Sequence, residues 1–214
     1  MTNGDTVSTM QLGFDSLLEN SDTENRERKL AWQTAHLPDT MEEGLAHYRL
    51  LIRRHHAAML AADVAGTMRL REEADNLALR LNGFDRGILA GPEAAGCILE
   101  RETVAPAGSI PLWGQSGTFT TELDGMKVRI ALDGIFGIAA RWYFWPGFVA
   151  HAVGWDRPFL SETGYRSFLG LYAAPEPGLG PEGFVRRVLG AYISRELKGR
   201  LVTIGPEYRG RASG

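Results

Sequence analysis

A single cysteine among 214 residues, Cys97, has no partner for a disulfide within the chain. That excludes the stapled framework of a small oxidised extracellular domain. Apolar runs are short, and none approaches the roughly 18 residues a membrane-crossing helix needs. The opening Met1-Thr2-Asn3-Gly4-Asp5 carries neither the basic start nor the apolar stretch of a secretory signal. The expected compartment is the cytoplasm, with no membrane partner. Also missing are a phosphate-binding glycine loop, a dinucleotide glycine pattern, a Gly-x-Ser-x-Gly elbow and zinc-knuckle spacing. No cofactor is expected, and no motif marks a catalytic centre.

What is present is the composition of a globular protein, 44% apolar and 23% charged. The length suffices for one large domain or two small ones with a real core. Net charge is −3, so no global attraction to nucleic acid is expected. The charge is unevenly spread: residues 1–40 hold seven acids and three bases, whereas residues 181–214 hold seven bases and three acids. A solvated acidic arm and a basic surface helix account for this. The sharper alternative sets the basic end against a phosphate backbone or an acidic partner.

Residues 1–23 are polar and read as a disordered arm. Within them Phe14, Leu17 and Leu18 sit at helical spacing, as in a docking peptide or an arm folded back on the parent domain. Residues 24–83 read as helical. One helix is expected over about 22–35, ended before Pro38. The next starts at Thr40, with Glu43 in the capping-box position, and its seam runs Met41, Leu45, Tyr48, Ile52, His55, Met59, Ala62. Asp63 can cap a following helix with the seam Leu70, Ala74, Leu77, Leu81, closed by Asn82-Gly83. A helical hairpin is expected, with a single helix through residues 40–82 as the alternative.

From Phe84 onward glycine, proline and short apolar runs indicate strands and turns. A β-rich region is expected over residues 93–204, with strands at Cys97–Leu99, Ile110–Trp113, Thr118–Leu123 and Met126–Leu132, and one or two in Ile138–Val153. Asp124-Gly125 between alternating segments is the strongest hairpin signal in the chain. Pro181 opens an amphipathic helix through Leu197. Leu201–Ile204 can add an edge strand, and residues 205–214 read as a loose basic tail. The fold class expected is α+β: an N-terminal helical hairpin and a mainly antiparallel β-rich part closed by a C-terminal helix.

Three clusters invite chemistry. His47, His55 and His56 with Glu42 and Glu43 suggest a metal, but no neighbouring helix supplies converging ligands. Glu72, Glu73 and Asp75 sit beside Arg69, Arg71 and Arg80 and read as surface. No metal is expected; His55 reads as a packed seam residue and His56 as a surface one. Cys97 with His151 makes a nucleophile–base pair only if the fold joins them; otherwise it is a small buried thiol.

The third cluster is the densest. Residues 136–172 hold 11 of the 20 aromatic residues, and the run Trp142 to Phe148 reads as core. Behind it Trp155, Arg157, Ser161, Thr163, Tyr165 and Arg166 offer forked cations, hydroxyls and rings suited to an anionic or aromatic ligand. The simpler reading is a loop pinned by its own network, with Asp156–Arg157 and Glu162–Arg166 ion pairs. If the chain is an enzyme, a small hydrolase or transferase, His151 with Asp156 or Glu162 is the acid–base pair.

The phrases His55-His56-Ala57-Ala58-Met59-Leu60-Ala61-Ala62-Asp63, Pro111-Leu112-Trp113-Gly114-Gln115 and Pro158-Phe159-Leu160-Ser161-Glu162-Thr163-Gly164-Tyr165-Arg166-Ser167-Phe168-Leu169-Gly170 resemble a family of uncharacterised bacterial proteins often found on plasmids or integrative elements. The resemblance covers about residues 45–204. It implies an accessory protein of a mobile element and no catalytic residue. The expected function is non-catalytic binding of a protein or nucleoprotein complex. A further reading is direct nucleic-acid contact through Arg186, Arg187, Arg195, Lys198 and Arg200.

Overall fold

The structure is a computed structural model and describes Asn25 and residues 28–209. The polar arm, its Phe14, Leu17 and Leu18, and the last five residues of the tail lie outside the described residues. Residues 28–33 are helical, and Leu37 beyond them is buried. The Thr40 hydroxyl accepts the Glu43 amide and caps helix α1, Met41–Leu60.

The turn after α1 separates the hairpin from a continuous helix. Ala62 takes a left-handed φ of 56°. The Asp63 amide then reaches the Ala58 carbonyl and the Ala62 amide that of Met59, the two closing bonds of a Schellman motif. Asp63 next turns its carboxylate to the Gly66 amide and caps α2, Val64–Leu81. At the far end Gly83 (φ 63°) and Phe84 repeat the same pair of bonds to Arg80 and Leu79. The antiparallel helices bury Tyr48, Leu51, Ile52, Leu70, Ala74 and Leu77 between them and their neighbours. Each such large side chain contributes roughly 1.5–3 kcal/mol.

Helix α3, Ala95–Arg101, stands where a strand at Cys97–Leu99 was expected. Short apolar runs do not separate the two periods, and Leu99 decides the matter by packing into the helical core. The Ile110–Trp113 strand is absent as well. Pro111 has no amide to donate, and both backbone groups of Trp113 are taken by histidines: its amide donates to His56 Nδ1 and its carbonyl accepts from His55 Nδ1, each at 3.0 Å.

Strands β1 (Gly117–Leu123) and β2 (Met126–Leu132) form the expected hairpin around Asp124-Gly125. Strands β3 (Phe148–Ala152) and β4 (Tyr165–Phe168) extend it into an antiparallel meander in the order β1-β2-β3-β4. One face, with Phe119, Ile130, Phe148 and Phe168, packs against Phe184, Val185 and Leu189 of helix α4, Pro181–Arg195. The fold is therefore α+β, helices first, then the antiparallel sheet, then the closing helix. Leu201–Ile204 contributes a single bridge, Val202 to Phe159, in place of an edge strand. Residues 205–209 are held rather than loose: the Gly205 amide donates to Glu162, and the Arg209 guanidinium to the Ile204 carbonyl.

The helical and sheet cores are locked by Arg71, which the sequence had not singled out. It is only 5% exposed. Its Nη1 donates to the carbonyls of Ala140 (2.7 Å) and Tyr143 (2.6 Å), its Nη2 to that of Phe144 (2.8 Å), and its Nε to His55 Nε2 (3.0 Å). Arginine only donates, so His55 carries its proton on Nδ1 and is neutral. Burial, then the Arg71 charge, pushes the His55 pKa down to about 3. Burial lowers that of Arg71 to about 10, still protonated at neutral pH.

Two predictions follow from these buried charges. Arg71→Met strips donors from three carbonyls and from His55, and should destabilise the fold by about 3 kcal/mol or more in urea denaturation. A variant as stable as the parent would refute the locking role. The second concerns Glu100 on α3 and Asp133 after β2. Burial first, then the Asp133 charge, raises the Glu100 pKa, opposed by the Phe136 amide; burial alone raises that of Asp133. A carboxyl with a raised folded pKa contributes stability below its unfolded pKa and loses it as pH climbs through the folded value. Glu100→Gln, which keeps an acceptor for Phe136, should raise Tm at pH 7 and lose that advantage near pH 4. An unchanged or lower Tm at pH 7 would contradict it.

Candidate functional site

Between β2 and β3 the chain runs through residues 133–147, and Arg71 grips this segment from behind. A 3-10 turn at Ala139–Arg141 turns Ile138 and Trp142 outward, 77% and 75% exposed. The aromatic run expected as core is thus divided. Trp145 and Phe148 are fully buried, while Trp142 stands in solvent and Tyr143 lies at the boundary. Tyr143 meets Tyr172 edge-on at 4.9 Å, and the Tyr172 hydroxyl donates to that of Tyr143 at 3.2 Å.

Tyr172, 86% exposed, forms the lip of a groove of about 440 Å³ between α4 and the segment that follows β4. Its floor is Trp145, Phe168, Phe184, Val188 and Tyr192, and Arg187, Arg195 and Glu196 line its rim. That segment is tied down by its backbone, since Trp145 Nε1 donates to the Ala173 carbonyl at 3.0 Å. Trp113 Nε1 does the same for Leu179 at 2.9 Å. Tyr143, Tyr172 and the groove therefore form one aromatic face on a braced backbone, and the exposed Trp142 adjoins it in the chain. Sequence reading missed its organiser, although Thr67, Arg71, Ala74 and Ala78 follow helical spacing and all four are buried.

The residues singled out in 151–167 do not converge. His151 lies on β3 opposite Tyr165 of β4 and Arg129 of β2, its ring 5.2 Å from that of Tyr165. Burial, then the Arg129 charge, lowers its pKa. Asp156 and Glu162 are exposed, and among the described residues no hydrogen bond or ion pair joins either to His151. The Ser161 and Thr163 hydroxyls both donate to the Tyr165 carbonyl, at 2.7 and 3.2 Å, closing the turn on itself. The expected Asp156–Arg157 and Glu162–Arg166 ion pairs do not form among the described residues. Arg166 instead lies 4.7 Å over the Tyr192 ring, and Trp155 packs on Gly164.

The basic set of α4 is also divided. Arg186 donates to the Glu122 carbonyl and to Thr121, and Arg187 pairs with Glu176. Arg195, Lys198 and Arg200 remain exposed. Among the described residues no group of three His, Cys, Asp or Glu side chains is placed to hold a metal. His47 instead meets Glu73 at 3.0 Å. No described helix is long and apolar enough to cross a membrane.

No family model and no solved structure matches the chain. Two curated Escherichia coli proteins named Protein KlcB are similar to it. One is 34% identical over 151 residues, covering 68% of this chain and 31% of the relative. The other is 35% identical over 114 residues, covering 52% of this chain and 27% of the relative. The chain thus spans about a third of the length of the curated relatives it matches, and its similarity is to one part of those longer KlcB proteins.

Proposed function

We propose that this chain is a non-catalytic binding protein, an accessory of a bacterial mobile element, that engages a protein partner, alone or within a nucleoprotein complex, through the aromatic face. One observation carries the reading: Trp142, Ile138 and Tyr172 are exposed on a backbone that Arg71 and Trp145 hold in place from inside. Large rings on a rigid backbone lose little entropy on docking, and Trp, Tyr and Arg dominate the energy of protein interfaces. The groove supplies an apolar pocket, and the exposed Arg195 on its rim favours a partner segment that is apolar with a flanking carboxylate. Similarity to the KlcB proteins, and the resemblance of residues 45–204 to proteins of plasmids and integrative elements, support the accessory role.

The test is affinity capture from a bacterial host carrying the native element, with nuclease treatment, comparing the parent with Trp142→Ala/Tyr172→Ala. Both side chains are exposed, so Tm should change little. The parent should retain a stoichiometric protein after nuclease, and the double variant should release it with at least a tenfold loss of affinity, about 1.4 kcal/mol. Equal retention by both proteins, or retention of nothing, would overturn the reading.

A further inference from the structure

The second face of the sheet is free of α4 and carries its own pattern. Strand register sets Thr120, Arg129, His151 and Tyr165 side by side across all four strands. A neighbouring row holds Thr118, Ala131, Val149 and Ser167, and the corner pair is Glu122 with Lys127. Alternation confirms the facing: Phe119, Val128, Ile130, Phe148 and Ala150 are buried on the α4 side, while Thr118, Thr120, Lys127 and Arg129 are exposed and Tyr165 is 48% exposed. Arg166, one residue on from Tyr165, sits over Tyr192 of α4 and so belongs to the other side.

We propose that this open sheet face is a platform for single-stranded DNA, with Tyr165 and His151 stacking bases and Arg129 and Lys127 meeting phosphates. The chain as a whole has more acids than bases, 26 against 23, yet within the four described strands Glu122 is the one acid on this face, with the half-buried Asp133 just beyond Ala131. Among the described residues Arg129 has neither a salt bridge nor a hydrogen bond, so its guanidinium is available. Strands about 4.8 Å apart put Arg129 roughly 10 Å from Tyr165, so cation and ring meet different parts of one strand. Burial, then the Arg129 charge, holds the His151 pKa below its usual value, so the imidazole offers a ring and a hydrogen bond more than charge. The adjoining Ala131 and Val149, between Thr118 and Ser167, give a small apolar bed that suits the unsubstituted 2′-carbon of deoxyribose and the methyl of thymine. Rings and cations together on an open surface are the general means of holding unpaired strands.

This inference concerns the side of the sheet turned away from α4 and stands apart from the aromatic face. Fluorescence anisotropy with a labelled oligothymidylate tests it, with duplex DNA and oligouridylate as comparisons. The parent should bind oligothymidylate best, with a log–log salt slope of about −0.7 for each phosphate neutralised. Tyr165→Ala should weaken binding about tenfold, the loss of one stacked base. Arg129→Ala, at an exposed site that leaves the fold intact, should weaken it and make the slope shallower. Absent binding, indifference to both substitutions, or equal binding of duplex would overturn the proposal. So would equal binding of oligouridylate, or loss caused instead by Arg195→Ala/Lys198→Ala/Arg200→Ala.

Discussion

The guanidinium of Arg71 is the constraint from which the rest of the arrangement follows. An ion moved out of water costs several kcal/mol unless its donors are satisfied. Here the compensation comes from oriented dipoles: three carbonyls and an imidazole lone pair. Those acceptors lie on the 140–144 segment and on α1, while Arg71 itself lies on α2. One planar fork therefore fixes three segments that no continuous strand or helix connects. A lysine ammonium has too few donors in the wrong geometry to replace it. His55 passes the constraint on, because its other nitrogen holds the Trp113 carbonyl. Gly114 makes that approach possible: at φ 88°, a Cβ there would lie 2.6 Å from His55 Nδ1.

The consequence is a surface loop with interior rigidity. The carbonyls that Arg71 takes belong to the residues around Trp142, so the ring is exposed while the backbone on either side of it is bonded. A loop in water carries its aromatics on a fluctuating backbone and loses that freedom on binding. Here the ordering cost is met in folding. The same logic explains why the aromatic run divides as it does. Trp145 reaches the core and spends its indole N–H on Ala173, whereas Trp142, three residues earlier, falls on the outer side of the 3-10 turn.

Legibility in the sequence followed the range of the interactions. The hairpin of α1 and α2, the Asp124-Gly125 turn and helix α4 are written in local signals: caps, period and turn residues. The α+β arrangement could be read from them. Cys97–Leu99 and Ile110–Trp113 could not, because their conformation is settled by distant partners, Leu99 by the helical core and Trp113 by two histidines 57 and 58 residues away. His151 and Tyr165 were singled out with other companions. Register placed them with Arg129 and Thr120 rather than with Asp156 and Glu162. Arg71 was the chief loss: it entered only as a neighbour of Glu72, Glu73 and Asp75, although its spacing to Thr67, Ala74 and Ala78 marked it as a seam residue.

The basic end of the chain shows why charge counts mislead without geometry. Of the seven bases after residue 180, Arg186 is spent on the edge of β1, Arg187 on Glu176, and Arg209 on the Ile204 carbonyl. Each of those bonds closes the fold around α4 and leaves less of that cation's field for a partner. A surplus of +4 in sequence therefore does not become a basic face of the same strength. Attraction at a distance is weak in this molecule, with screening at physiological salt cutting it off within about 8 Å. Recognition has to come from contact: rings held at fixed positions, an apolar groove, and single cations whose neighbours leave them unpaired.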